Sequence, residues 1–157
     1  MKRSIGILLY RKIDEEYQIL LTHFGGPYWA KKDKGAWSLQ KGLQEAGETA
    51  LETAVRETSE ETNLQLQNEI SYLASKKVSN NKLVIMFASY FDGSIENFKS
   101  NTFSLEFPPK SGIVKEYPEM DKVNWVSLKD AKDYICPSQL FFLERFEDKI
   151  KNNKLPL

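Results

Sequence analysis

The 157-residue chain has the length of one ordinary domain, and its content of 41% hydrophobic and 28% charged residues is typical of a globular protein. Its 22 basic and 22 acidic residues balance, so no overall field exists to recruit nucleic acid or a membrane surface. We therefore expect one domain over residues 1–157, without general nucleic-acid binding or membrane association. The N-terminal apolar run, Ile5–Tyr10, is too short for a signal peptide, and this favours a cytoplasmic location.

A single cysteine, Cys136, excludes an intrachain disulfide framework and is consistent with a reducing compartment. It precedes Pro137 among apolar residues. This setting predicts a buried, inert thiol rather than a nucleophile.

The opening third of the chain predicts β-structure. Two apolar runs, Ser4–Tyr10 and Tyr17–His23, flank a polar turn and are typical of a hairpin. Gly25-Gly26-Pro27 interrupts regular structure, and Tyr28–Gly35 is predicted to be a loop. Trp37–Leu39 then predicts a short strand that leads into Lys41 and Gly42.

The segment Thr49–Thr62 has helical periodicity. Its predicted inward stripe is narrow and consists of Leu51, Ala54, Val55 and Thr58. Thr49 and Glu52 are spaced as a capping box at the start of the helix. Asn63 is a plausible left-handed terminator, because Asn tolerates positive φ.

The second half of the chain continues the alternation of strands and helices. The predicted strands are Ile70–Lys77, Leu83–Phe91 and Val123–Val126, and the predicted helices are Leu128–Ile135 and Ser138–Lys151. This order predicts a sheet covered by helices on both faces. Asp92–Pro118 is a long ordered excursion, and within it Asn101–Gly112 is either a loop bordering the substrate pocket or a β-hairpin covering a sheet edge.

Three carboxylates share one face of the predicted helix. Glu57 lies three and four residues before Glu60 and Glu61, and the mutual repulsion of the three is relieved when a hard divalent cation sits among them. A solvated, Glu-rich helix is the alternative for this run taken alone. The longer pattern favours a site, because further residues fall in a fixed register with the three: Gly42, Glu48, Arg56 and Leu64.

This spacing resembles the Nudix box of the MutT-like hydrolases, a 23-residue loop-helix-loop signature. The chain departs from it at Asn63, where Gly is usual, and at Thr58, where an aliphatic residue is usual. The resemblance implies an α+β fold, the Nudix-type α/β/α sandwich with a mixed β-sheet flanked by helices. It also implies a nucleotide-type small molecule as substrate.

Three further stretches resemble a bacterial subfamily of predicted Nudix NTP pyrophosphohydrolases. They run from Gly25 to Lys32, from Ser100 to Gly112, and from Glu116 to Glu119. The subfamily often has Pro where this chain has Gln40.

The resemblance also implies roles for individual residues. Mg²⁺ or Mn²⁺ would be bound by Gly42, through its carbonyl, and by Glu57, Glu60 and Glu61. Arg56 would hold a neighbouring carboxylate in place, and Glu48 would support the loop or an outer metal. Glu57, Glu60 and Glu119 are all candidates for the general base. Lys41 and Asn101 are the candidate substrate-binding residues.

The expected reaction is metal-dependent hydrolysis of a phosphoanhydride bond in a nucleoside diphosphate linked to another moiety, such as an NTP or a dinucleoside polyphosphate. One alternative is an isomerase of isoprenoid diphosphates. That chemistry requires a reactive cysteine or an equivalent acid in the pocket, and the position of Cys136 in the closing helices disfavours it. Another is a non-catalytic module that binds a nucleotide or a protein. The sequence leaves the oligomeric state open.

Other conspicuous residues have structural interpretations. His23, the single histidine, is either a ligand or acid, or a structural histidine at the end of a strand. Tyr28, Trp29 and Trp37 either stack a nucleobase or belong to the core.

Overall fold

A computed structural model of the chain describes residues 1–154, so residues 155–157 of the expected domain lie outside the described residues. Its strands are β1 (Lys2–Ile13), β2 (Glu16–Phe24), β3 (Trp37–Ser38), β4 (Gln40–Leu43), β5 (Ile70–Ser79), β6 (Lys82–Tyr90), β7 (Thr102–Glu106), β8 (Val114–Pro118) and β9 (Met120–Ser127). Its helices are α1 (Ala50–Thr62), α2 (Leu128–Tyr134) and α3 (Leu140–Lys151), with a 3₁₀ turn at Pro137–Gln139 before α3.

Seven of the strands form one mixed sheet. Its main path runs β3-β2-β1-β6-β5, while β4 pairs with β1 and β9 pairs with β2. The pairing of β1 with β6 is parallel, and the others are antiparallel. Strands β7 and β8 form a separate antiparallel pair.

Helices cover both faces of the large sheet, because successive residues of β1 point to opposite sides. Ile5, Ile7 and Leu9 pack with Ala54 of α1, whereas Leu8 and Tyr10 share a core with α2 and α3. This arrangement confirms the predicted α/β/α sandwich with a mixed sheet. Among residues 1–154, no helix has the length and apolar character needed to cross a bilayer.

Several predicted elements differ in extent from those in the structure. The strand predicted at Trp37–Leu39 is followed by a second one, β4, which pairs with β1. Within the excursion 92–118, β7 and β8 form a hairpin that pairs over residues 102–118, separate from the large sheet. The aromatic ring of Phe103 lies against Gly26, so this hairpin contacts the segment after β2.

The predicted inward stripe of α1 is wrong in part. Leu51 and Val55 are 43% and 41% exposed, whereas Ala54, Thr58 and Glu61 are buried. The face that meets β1 and β4 therefore carries small and acidic residues. The reason is the close approach of Glu57 to β4, described below, which rotates the two larger apolar side chains toward solvent.

Candidate active site

Helix α1 is defined at both ends by its own side chains. Thr49 Oγ1 accepts a hydrogen bond from the backbone N–H of Glu52 (3.1 Å), and the Glu52 carboxylate accepts one from the N–H of Thr49 (3.0 Å). At the other end, Asn63 adopts φ 59° and donates its N–H to the carbonyl of Ser59. The predicted capping box and left-handed terminator are both present, so the carboxylates of α1 are displayed on a well-bounded helix.

Gly42 and Glu57 are in direct contact. A Cβ on residue 42 would lie 2.0 Å from Cδ of Glu57, so the carboxyl group occupies the space that any side chain would need. The pairing of β4 with β1, Gly42 opposite Ile5, fixes the strand beneath α1. Glycine at this position therefore lets a carboxylate approach the backbone of β4.

Arg56 connects the carboxylates of the loop and the helix. Its Nε and Nη2 donate to the two oxygens of Glu48 at 2.7 and 2.9 Å. Its Nη1 donates to Glu57 at 2.9 Å and to Glu60 at 3.1 Å. These hydrogen bonds hold the pKa of Glu48 down at about 2, with Arg56 the principal cause.

Glu61 lies in the opposite electrostatic situation. It is 9% exposed, and its burial, followed by the negative charges of Glu119 and Glu57, raises its pKa to about 8. Burial also raises the pKa of Glu57, although its hydrogen bond with Arg56 opposes this rise. The nearby cations therefore do not fully offset the burial and the mutual repulsion of these carboxylates.

Glu119 joins this cluster from the bend between β8 and β9, 58 residues after Glu61 in the chain. Its backbone is fixed on both sides: its N–H donates to the carbonyl of Asn101, and its carbonyl accepts from the N–H of Gly25, both at 2.8 Å. The negative charge of its side chain is one of the causes that raise the pKa of Glu61. Asn101 thus supports Glu119 through its main chain, while the Asn101 side chain is exposed.

Lys41 borders the cluster from β4. It is partly buried, and that burial lowers its pKa, while the charges of Glu61 and Cys136 act in the other direction. Cys136 is therefore close enough to Lys41 for the two groups to affect each other's pKa, although it belongs to the segment between α2 and α3. The thiol is only partly buried, and burial raises its pKa, which favours the unreactive protonated form.

The chain after α2 folds back on β3, which sequence patterns did not indicate. The N–H of Cys136 donates to the carbonyl of Trp37, and the side-chain oxygen of Gln139 accepts from the N–H of Leu39, both at 2.7 Å. Gln139 is 5% exposed. Gln139 ends the 3₁₀ turn, and a polar side chain buried there needs a hydrogen-bond partner, which Leu39 provides.

His23 and Trp37 are buried and packed within the protein, as their structural interpretation expects. His23 is 1% exposed, and its ring nitrogens contact Asp121 Oδ1 (2.7 Å) and the Lys32 carbonyl (2.6 Å). Trp37 is buried against the His23 ring, and Trp29 packs partly buried against the same core. Tyr28 is 52% exposed, so it alone of the three aromatics keeps a large free surface.

The acidic cluster has the chemistry of a divalent-cation site. Within residues 1–154, no three acidic, His or Cys side chains are already arranged around one point for a metal ion. The donors are nevertheless hard oxygens, and burial, followed by the charges of Glu119 and Glu57, raises the pKa of Glu61, so a cation beside it would favour its ionised form. Glu57 and Glu61, with the backbone of Gly42 against Glu57, therefore fit such an ion.

A mixed sheet between helices carries a capped acidic helix that packs on a glycine of β4, and this combination is characteristic of a class of enzymes that hydrolyse pyrophosphate bonds. The family model described as the NUDIX domain matches residues 2–146, and the chain belongs to this family. The resemblance seen in the sequence is thus confirmed, and the protein is a Nudix hydrolase.

Known proteins show how far this similarity extends. The RNA pyrophosphohydrolase of Pelagibacter ubique (strain HTCC1062) is 26% identical over 121 residues, which cover 75% of this chain and 76% of the relative. A C. elegans Ap4A hydrolase, solved as a binary complex, superposes with a TM-score of 0.65 at 19% identity, covering 97% of this chain and 99% of that one. The NUDIX domain of Shewanella oneidensis NrtR, complexed with ADP ribose, gives 0.66 at 15% identity, covering 94% and 87%. These structural likenesses establish the fold.

Proposed function

We propose that this Nudix hydrolase uses Mg²⁺, or Mn²⁺ in its place, to cleave a phosphoanhydride bond in a nucleoside diphosphate linked to another moiety. The observation that carries the proposal is the convergence of Glu57, Glu61 and Glu119 beside Gly42, with the pKa of Glu61 raised to about 8. Dinucleoside polyphosphates and nucleoside 5′-triphosphate groups are the favoured substrates. The names of two similar proteins, an RNA pyrophosphohydrolase and an Ap4A hydrolase, support this class.

The carboxylates of Glu57, Glu60 and Glu61 and the carbonyl of Gly42 are the groups that would hold the ion. An ion held by these groups would supply charge to neutralise phosphate oxygens and would lower the pKa of an attacking water. Arg56 keeps Glu57 and Glu60 in place through its hydrogen bonds. Lys41 supplies positive charge to the phosphate chain, because it borders Glu61 from β4.

The reaction requires a water, a base and a leaving phosphate. The water oxygen forms a bond to phosphorus as the anhydride P–O bond breaks, and the electron pair of that bond leaves with the departing phosphate. The water proton passes to a carboxylate. The product pair is a mononucleotide and a phosphorylated second product.

Three carboxylates are candidates for the base, and we favour Glu119. Arg56 donates hydrogen bonds to the other two, Glu57 and Glu60, and a bound ion would draw on their remaining oxygens. Glu119 stands on a different element, and its backbone is fixed by Gly25 and Asn101. Glu119 could therefore accept the proton while the ion-binding carboxylates stay ionised.

The test is hydrolysis by the purified protein with Mg²⁺, Mn²⁺ or EDTA. The substrates are ATP, diadenosine tetraphosphate, a nucleotide sugar, NAD and a 5′-triphosphorylated RNA. Products are identified by mass spectrometry in H₂¹⁸O, so that the labelled product shows which phosphorus is attacked. Glu60→Gln tests the site, and Glu144→Gln, the same change at an exposed position of α3, is the control.

We expect one substrate class to be hydrolysed only with the metal, with a loss of activity in Glu60→Gln and none in Glu144→Gln. Binding of nucleotides without any turnover across the panel would overturn the proposal. That result would favour a nucleotide-binding module, which the ADP-ribose complex of a similar domain makes the leading rival.

A further inference from the structure

Gln40 of β4 carries an unpaired acceptor in the interior of the protein. The residue is 4% exposed, and its side-chain nitrogen, Nε2, donates a hydrogen bond to Thr22 Oγ1 in β2. Its side-chain oxygen, Oε1, has no hydrogen-bond partner among residues 1–154. Most buried polar side-chain atoms are paired, so this oxygen indicates a partner from outside the described part of the chain.

The side chain of Gln40 lies on the side of the sheet that faces α1. Gln40 and Gly42 are two residues apart in β4, so they point to the same face. Their partners in β1, Ile7 and Ile5, belong to the core beneath α1. Gly42 itself meets Glu57 of that helix. The amide of Gln40 is therefore on the same face as the groups that fit an ion.

The hydrogen bond to Thr22 places this amide at the end of the sheet that carries Glu119. Two residues after Thr22, Phe24 pairs with Met120 of β9, and Glu119 immediately precedes Met120. Ser38 connects the two places, because its hydroxyl oxygen lies 3.5 Å from Thr22 Oγ1 and 4.0 Å from Met120 Sδ. Thr22 thus fixes the amide beside the strand ends that hold Glu119.

The carboxylate of Glu61 reaches the same end of the sheet from α1. The carbonyl of the next residue, Thr62, accepts from the N–H of Lys99 at 3.1 Å, in the segment that leads to the hairpin before Glu119. Glu61 is buried, and the charge of Glu119 acts on it. The unpaired oxygen of Gln40 therefore shares this end of the interface between α1 and the sheet with two carboxylates.

A divalent cation is the partner that suits an acceptor in these surroundings. An amide carbonyl oxygen can accept a hydrogen bond or coordinate a cation, and ionised carboxylates such as Glu61 and Glu119 provide neither a proton nor a positive charge. Mg²⁺ and Mn²⁺ bind carbonyl and carboxylate oxygens together. An ion among these groups would therefore satisfy the oxygen of Gln40 and the charge of the carboxylates at once.

We propose that the side-chain carbonyl of Gln40 is a further oxygen donor to the divalent ion, in addition to the carboxylates of α1 and the carbonyl of Gly42. Thr22 would hold the amide so that its nitrogen faces β2 and its oxygen faces the carboxylates. The Nudix box begins at Gly42, so this donor lies outside it. The inference rests on the proposed function, since it concerns the ion on which that function depends.

The first test follows ion binding and does not require turnover. Protein labelled with ¹³C in its glutamines is titrated with Mg²⁺, and the Cδ signals of Gln40 and Gln139 are compared by NMR. Gln139 is a matched control in the same sample, because it is 5% exposed and its side-chain oxygen already accepts from the N–H of Leu39 at 2.7 Å. We expect a saturable shift at Gln40 and none at Gln139.

A parallel titration with AMP separates the ion from the nucleotide. A shift of the Gln40 signal with AMP but not with Mg²⁺ would assign the carbonyl to a hydroxyl or amino group of the substrate and would overturn the inference. The absence of a shift with either ligand would overturn it as well.

The second test compares Gln40→Met with Gln139→Met, since methionine keeps the length of the side chain without its carbonyl. Binding of Mn²⁺ is measured by electron paramagnetic resonance, and unfolding in urea with EDTA checks that each variant is folded. Gln40→Met should weaken Mn²⁺ binding by about tenfold. Gln139→Met should leave Mn²⁺ binding unchanged and lower the urea concentration at the unfolding midpoint, because the N–H of Leu39 loses its partner.

The outcomes distinguish this inference from the proposed function. Unchanged Mn²⁺ binding in Gln40→Met, with metal-dependent hydrolysis by the natural chain, would overturn the role of Gln40 and leave the proposed function standing. A natural chain that binds neither Mg²⁺ nor Mn²⁺ would overturn both. If Gln40→Met does not fold, the shift of the Gln40 signal in the natural chain decides.

Discussion

The α-carbon of Gly42 faces the carboxyl group of Glu57 so closely that a Cβ at position 42 would lie 2.0 Å from Cδ of that side chain. The glycine belongs to β4 and the glutamate to α1, so this one contact sets the distance between the strand and the helix. The requirement for glycine is a packing requirement at this position.

Gly42→Ala should therefore destabilise the protein and reduce its activity. Overpacking of this kind costs about 1–3 kcal/mol, and displacement of Glu57 would disturb the ion-binding groups. The free energy of unfolding in urea and kcat with Mg²⁺ are the two measurements.

The double variant Gly42→Ala/Glu57→Ala provides the control. Because the second change removes the clashing carboxylate, Gly42→Ala should cost less stability in the Glu57→Ala background than in the natural chain. Additive effects in the two backgrounds would mean that the clash is not the cause.

The local features of this site could be predicted from the sequence. Thr49, Glu52 and Asn63 act within a few residues of their own positions, so their roles in capping α1 follow from local chemistry. The orientation of α1 could not be predicted, because Leu51 and Val55 point outward for a reason that lies in β4.

The long-range contacts of the site could not be predicted from the sequence either. Glu119 meets Glu61 only because Gly25 and Asn101 hold its backbone, and Gln139 reaches Leu39 across 100 residues. A spacing pattern contains no information about such contacts. The family resemblance was the one signal that pointed to Glu119.

Arg56→Lys should weaken metal use even though it keeps the charge. A lysine ammonium cannot reproduce the paired contacts of Arg56 with both oxygens of Glu48, at 2.7 and 2.9 Å, while also reaching Glu57. We expect a loss of about 10–100-fold in activity or metal affinity. The readout is the Mg²⁺ concentration that gives half-maximal rate.

Arg145→Lys is the matched control, because Arg145 forms an exposed pair with Asp148 on α3. It should behave as the natural chain does. An unchanged Mg²⁺ requirement in Arg56→Lys would show that Arg56 contributes charge alone.

Thr58→Val should raise the free energy of unfolding. Thr58 is fully buried in α1, and its hydroxyl has no hydrogen-bond partner among residues 1–154. Valine has nearly the same shape without the polar group, so we expect a gain of about 1 kcal/mol. Chemical unfolding in urea is the measurement.

Thr62 on the same helix supplies the comparison. It is equally buried, but its hydroxyl donates to the carbonyl of Thr58 and accepts from the N–H of Leu64. Thr62→Val should therefore destabilise the protein by about 1–3 kcal/mol. A loss of similar size in Thr58→Val would indicate that the Thr58 hydroxyl binds a buried water.

The metal-free protein should become less stable as the pH rises toward 8. The pKa of Glu61 is raised from 4.5 to about 8 by burial first and by the charges of Glu119 and Glu57 next. Between these two values the folded chain keeps a proton that the unfolded chain has released. The stabilisation is therefore complete below about pH 4.5 and is lost as the pH passes through about 8.

Unfolding in EDTA between pH 5 and 8 measures this dependence, and Glu61→Gln, which cannot ionise, should flatten it. Glu48 does not contribute to this pH dependence, because its pKa is lowered to about 2. The stability that it provides is lost only at acidic pH, as the pH falls toward that value. Since a cation replaces the proton at Glu61, stabilisation by Mg²⁺ should grow with pH over the same range. A flat profile for the natural chain in EDTA, or equal stabilisation by Mg²⁺ at pH 5 and pH 8, would show that Glu61 is not part of the ion-binding set.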